Sequence, residues 1–146
     1  MHTLTDIQLY FSPYYTRKDI TIMELTEYFK SYIETEEEPI TICSTDYHIL
    51  YINKAAAAEY ERFGGYNIIG KSLNTFLDLE AQSKINMVVE WFKESKENNQ
   101  VFAVRYNSSS TDTYISALRS NSGELIGFCN KRRCRTPDET EPYALV

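Results

Sequence analysis

The chain is short of the residues that build most active sites. Its 146 residues include only two histidines, His2 and His48. The three cysteines, Cys43, Cys129 and Cys134, are an odd number for a disulfide framework, and no two of them form a CxxC pair. With the histidines they give no zinc-like spacing, so no metal ligands are expected and the thiols are read as reduced and structural. Glycine occurs five times. Gly70-Lys71-Ser72 keeps the last three letters of a phosphate loop, but no strand and Gly-rich loop lead into it. No Cys–His or Ser–His pair has a local nucleophile signature. Function has to be argued from a site, and no catalytic site emerges, so the chain is read as not an enzyme.

Two further absences concern partners. No apolar run approaches the roughly 20 residues of a membrane-spanning helix. The N-terminus lacks the basic start and apolar stretch of a signal peptide, so the expected location is cytoplasmic, without a membrane partner. The net charge of −6 argues against general affinity for nucleic acid. Lys131-Arg132-Arg133-Cys134-Arg135 is the one basic cluster, and it reads as a solvated strand end. A chain of this size buries enough surface to fold as one domain without a staple.

What is present is patterned. Residues 1–18 are irregular, with aromatic pairs Tyr10-Phe11 and Tyr14-Tyr15. Thr21 and Glu24 match a capping box, and Ile22, Leu25, Phe29, Tyr32 and Ile33 then form a stripe at helical spacing over 21–34. The acidic run Glu36-Glu37-Glu38 leads to Pro39. Ile40–Cys43 and Ile49–Ile52 read as strands joined by turn-forming Ser44-Thr45-Asp46. The second run is apolar at both parities, which predicts cover on both of its faces, with the helix at 21–34 as the cover for the outer one. Asn53 caps an alanine-rich helix over 54–63, which Gly64-Gly65 stops. Gly70 marks a turn, and a longer helix runs from Asp78 or Leu79 to about Glu97, with Ile85, Val88, Val89 and Phe92 on its apolar face. Strands are predicted at 100–106, 113–119 and 124–130, with a polar tail after them. Two strands, then helices, then three strands argue an α+β fold.

This order resembles a PAS sensory domain over roughly 36–132. Pro39-Ile40-Thr41-Ile42, Asp46, Ile49 to Asn53, Ala55-Ala56, Gly64-Gly65-Tyr66, Ile69-Gly70-Lys71-Ser72 and Gly123-Glu124-Leu125-Ile126-Gly127 carry the resemblance. It implies an arm and amphipathic helix at 1–35, a PAS-like domain at 36–132 and a polar tail at 133–146. It also implies an antiparallel sheet of five strands in the order 2-1-5-4-3, with helices over one face enclosing a small cavity. The flavin photosensors of the family need a cysteine after the Gly70-like turn, and its haem-binding members commonly use a histidine on the long helix. This chain has neither, so both are disfavoured and the cofactor stays unassigned. Cys43 and Cys129 fall on strands that this order makes neighbours.

Two functions follow from the resemblance. One is a sensory module with a small, largely apolar ligand between sheet and long helix, walled by Ile42, Val88, Phe92, Val104, Tyr114 and Phe128. The other is a ligand-free interaction module. Both expect a homodimer built on Ile22, Leu25, Phe29, Tyr32 and Ile33, and a signalling partner acting in trans. The start at Met1 favours a natural beginning of the chain.

Overall fold

A computed structural model describes residues 21–145. The aromatic pairs at positions 10–15 lie outside the described residues. Contacts divide the chain into two compact units, Met1–Thr35 and Glu36–Val146. In the first, helix α1 spans Ile22–Glu34. Its capping box is complete: the Thr21 hydroxyl accepts from the Glu24 amide at 3.3 Å, and the Glu24 carboxylate accepts from the Thr21 amide at 2.7 Å. No α1 side chain is buried; Ile22, Leu25 and Ile33 are half-buried, while Phe29 and Tyr32 are exposed.

The second unit is built on strands β1 (Ile40–Ser44), β2 (Ile49–Ile52), β3 (Gln100–Tyr106), β4 (Thr111–Arg119) and β5 (Leu125–Cys134). They form one antiparallel sheet in the order 2-1-5-4-3, as the resemblance implied. Between β2 and β3 come α2 (Lys54–Glu59), three 3-10 turns at Glu61–Phe63, Gly65–Ile68 and Leu73–Phe76, and α3 (Leu79–Glu94). The left-handed backbone of Gly64, φ 111°, links α2's terminal turn to the next and explains why glycine stands there.

Asn53 ties the two layers together. Its fully buried side chain accepts from the amides of Ala56, as the α2 cap, and of Ile40, both at 3.0 Å. Its amide nitrogen donates to the carbonyl of Glu38 at 2.9 Å. One residue therefore starts α2, holds the first residue of β1 and fixes the segment before it. The core collects Cys43, Ile49, Ile52, Ala56, Ile68, Leu73, Val89, Phe92, Ile115 and Phe128.

Several details depart from the sequence reading. The alanine-rich helix expected over 54–63 is α-helical only to Glu59, with a separate 3-10 turn at Glu61–Phe63. Ile49 and Ile52 are fully buried, yet Leu50 is 54% exposed. The cause is a bulge: Cys43 pairs with Ile49 and Ile42 with Tyr51, which leaves Leu50 unpaired. The extra residue reverses the alternation, so Ile49 and Ile52 share one face. The apolar run therefore reflects a bulge and does not require cover on both faces. Helix α3 stops at Glu94, three residues early, because Ser95 is extended and side chains take over the last carbonyls. Strand β4 begins at Thr111, two residues before the expected start. Strand β5 continues to Cys134, so the basic cluster is paired strand except for Arg135, just beyond it. Glycine is also required at position 127 on steric grounds, since a Cβ there would lie 2.2 Å from the Cys43 carbonyl oxygen.

Candidate functional site

Residues paired across neighbouring antiparallel strands share a face, so the register sorts the sheet into two sides. One row on the helix-covered, concave side is Ala117, Phe128, Cys43 and Ile49. The next is Val101, Ile115, Asn130, Thr41 and Ile52, and a third is Val104, Thr113 and Arg132. The opposite side carries Phe102, Tyr114, Lys131 and Ile40, then Ser116, Cys129, Ile42 and Tyr51.

This register separates the six residues expected to wall one pocket. Phe92 and Phe128 are fully buried, and Val88 packs against the same cluster. Tyr47 adds its ring edge-on to Phe128, 6.0 Å between centroids. At this end the interior is filled by side chains, as protein cores are. Val104 lies on the concave side but in the outermost of the three rows. Ile42 and Tyr114 lie on the opposite side, each next in sequence to an inward residue, Cys43 and Ile115, so strand alternation turns them away. Tyr114 instead stacks on Phe102 at 5.3 Å, and the Arg133 guanidinium lies over its ring, 4.6 Å from the centroid.

The sequence reading missed what gathers around Val104. Arg132 points from β5 to the helical layer and forms a two-pronged ion pair with Glu59 at the end of α2. The Arg132 guanidinium also lies 5.0 Å from the Tyr106 ring centroid, a cation–π contact. Burial is the largest influence on Arg132 and opposes its charge; only the hydrogen bond to Glu59 together with the charges of Glu59 and its neighbours outweighs it and raises the pKa. Next to Glu59, Tyr60 begins an aromatic triangle with Phe63 and Phe76, with centroids 6.4, 5.9 and 5.1 Å apart. Burial and then the Glu59 charge push the Tyr60 hydroxyl above the ordinary tyrosine range. Beneath lie the buried threonines Thr111 and Thr113. The apolar surface here is not closed over: Val104 is 42%, Tyr106 40% and Phe63 38% exposed. The signal for Arg132 was present in the chain. Counting alternate residues from Phe128 reaches Asn130 and Arg132, provided the strand is carried past Asn130.

The cysteines are neighbours but face apart. Cys43 pairs with Phe128, and Cys129 pairs with Ile42, which places the two thiols on opposite sides of the sheet. Burial pushes Cys43 up to about 12 and also raises Cys129, so neither is a ready thiolate near neutral pH. Cys134 is exposed. His48 is exposed in the β1–β2 turn, its Nδ1 3.1 Å from the Asp46 carboxylate. The Ser44 hydroxyl, followed by His48, lowers the pKa of that carboxyl. Among the described residues no group of three potential metal ligands converges, and no helix is long and apolar enough to cross a membrane.

Comparison with known proteins agrees with the sheet order. The C-terminal domain of a Streptococcus mutans protein superposes with a TM-score of 0.62 at 16% identity, over 75% of this chain and 84% of that one. The PAS domain of Bordetella pertussis BvgS gives a TM-score of 0.53 at 17% identity, over 78% and 88%. A sensory box sensor histidine kinase from Vibrio cholerae gives 0.53 at 12% identity, over 76% and 92%. At these identities the likeness is one of fold. No curated protein matches the sequence. The family model described as PAS domain matches residues 37–130. PAS domains are in general sensory and signalling modules rather than enzymes. With the sheet order, the crossing helices and the match over most of its length in agreement, the chain belongs to the PAS domain family.

Proposed function

We propose that this protein is a sensory PAS module that takes a small, largely apolar molecule on the concave face of its sheet. The observation that carries this reading is the exposure of apolar side chains where the fold should hide them. Phe63, Val104 and Tyr106 are each about two-fifths exposed at the end of a face whose other rows are buried or half-buried. Apolar surface left open between a sheet and the helices that cover it is where a small apolar molecule would find contacts. The Vibrio cholerae relative is a sensor kinase, which supports a signalling role by analogy of fold. A ligand bound there would touch α2 and the 3-10 turns on one side and β3 to β5 on the other. It would thereby favour one arrangement of the helical layer over another, and a signalling partner in trans would read the change.

The second reading is a ligand-free dimerisation module. The solid packing of Phe92, Phe128 and Val88 supports it, as do Tyr28, Phe29 and Tyr32, exposed along one side of α1. Native mass spectrometry of the purified protein separates the two. A dimer carrying an added small mass supports sensing. An apo dimer supports the interaction module. An apo monomer counts against both.

A further inference from the structure

Beneath the exposed apolar residues at the Val104 end of the concave face lies a donor that the fold leaves unused. Glu59 occupies Nη1 and Nη2 of Arg132, but Nε is buried and has no hydrogen-bond acceptor among the described residues. Native proteins leave few buried N–H groups unmet, because each such group loses its hydration without replacement. This donor sits in the same row as Val104 and Thr113, against Tyr106 and beside the Tyr60–Phe63–Phe76 triangle.

We propose that this end of the concave face binds a flat, neutral molecule whose carbonyl oxygen or ring nitrogen accepts a hydrogen bond from Arg132 Nε. The inference rests on the reading of the concave face as a ligand face and sharpens it. Flatness follows from the aromatic walls, since rings pair best with offset or edge-to-face rings. Neutrality follows from Glu59. Its carboxylate already balances the guanidinium, so an anionic ligand at Nε would stand beside a second negative charge and would have to displace it. The need for an acceptor follows from Nε, because an apolar ligand would leave that donor unmet. Arg132 and Glu59 together then act as a filter: one supplies the donor, the other excludes acids.

The test uses three probes of similar size on the full chain: 2-quinolone, quinoline-2-carboxylate and naphthalene. Binding is followed by amide and Arg132 Nε–H shifts in nitrogen-15 NMR spectra. The expected order is 2-quinolone tightest, with shifts at Arg132, Val104 and Tyr106. Arg132→Lys keeps the charge opposite Glu59 but loses Nε, and should weaken 2-quinolone by about tenfold while leaving naphthalene unchanged. Glu59→Gln should strengthen the carboxylate by a similar factor. The three-probe order in the native protein stands even if a variant fails to fold. Carboxylate binding as tight as 2-quinolone, or indifference of 2-quinolone to Arg132→Lys, overturns the inference. So do shifts confined to Val88 and Phe92, although these would leave the broader ligand reading in place. If none of the probes binds at millimolar concentration, the inference falls, and the broader ligand reading falls with it only where native mass spectrometry also shows the apo protein alone.

Discussion

Asn53 shows how much one side chain can hold. Its oxygen meets two amides that otherwise lack a partner at the start of α2 and of β1, and its nitrogen meets the carbonyl of Glu38. Truncation to alanine strands all three groups in a fully buried place. Unmet buried groups cost about 1–3 kcal/mol each, and partial relaxation keeps the sum below full additivity, so Asn53→Ala should cost about 3 kcal/mol. Urea unfolding would show a lower midpoint with little change in slope. A loss under 1 kcal/mol would mean that water reaches these groups. The cysteines make a second test at this scale. Their thiolates, not their thiols, react, and burial holds Cys43 and Cys129 in the thiol form. Ellman's reagent at neutral pH should therefore modify Cys134 quickly and the other two only as the protein unfolds. Rapid modification of two or three thiols in the native state would show that the sheet opens at β1 and β5.

At the scale of elements, the end of α3 is held from across the fold. Arg119 on β4 donates to the carbonyls of Phe92, Ser95 and Asn98 at 2.7, 3.0 and 2.9 Å. It also donates to the Asn99 side chain and to the Gly123 carbonyl in the β4–β5 turn. A helix C-terminus leaves carbonyls without partners, and here a strand supplies the donor. Arg119→Ala should cost about 2 kcal/mol, given its partly exposed, charge-assisted bonds. The loss should be local: amide exchange should quicken in the last turn of α3 and the β4–β5 turn, while β1 and β2 stay protected. Uniform quickening would mean that Arg119 supports the whole domain instead.

Elements also show what the sequence made legible. Element types were readable because turn residues and helical spacing are local signals, whereas the strand order came from the PAS resemblance. Bulges were not. Leu50 in β2 and Ile126 in β5 are each an extra residue, and each reverses which neighbours face inward. Ile42 and Tyr114 are a different case: placed on the concave face by position and character, they are turned away by plain alternation beside the inward Cys43 and Ile115. The site around Arg132 was hidden because its partner, Glu59, stands 73 residues away. A lone basic run at a strand end looks solvated until that partner is known.

For the whole molecule, the charge balance of −6 hides ion pairs on the sheet that set its response to acid. Asp112 is buried on β4, with Arg105 on β3 at 2.9 Å and Arg135, just beyond β5, at 3.2 Å. One carboxylate thus joins two neighbouring strands and the segment leaving a third. The hydrogen bond from Arg105, and the charges of Arg105 and Arg135, hold its carboxyl below the ordinary aspartate range. A carboxyl with a lowered pKa in the folded state stabilises the fold fully above its unfolded value, about 3.9. That contribution is lost as the pH falls through the lower folded value, where native and unfolded states both hold the proton. Asp112→Asn removes the charge at every pH. Its urea midpoint should therefore lie below that of the native protein at pH 7 and at pH 5. The gap should shrink below about pH 4 and close once Asp112 is protonated in both states. Adding 1 M salt at pH 7 should narrow the gap only in part, since the carboxylate is buried while Arg105 is half-exposed. A gap that stays constant from pH 7 to pH 3 would mean that Asp112 acts through packing and not through its charge.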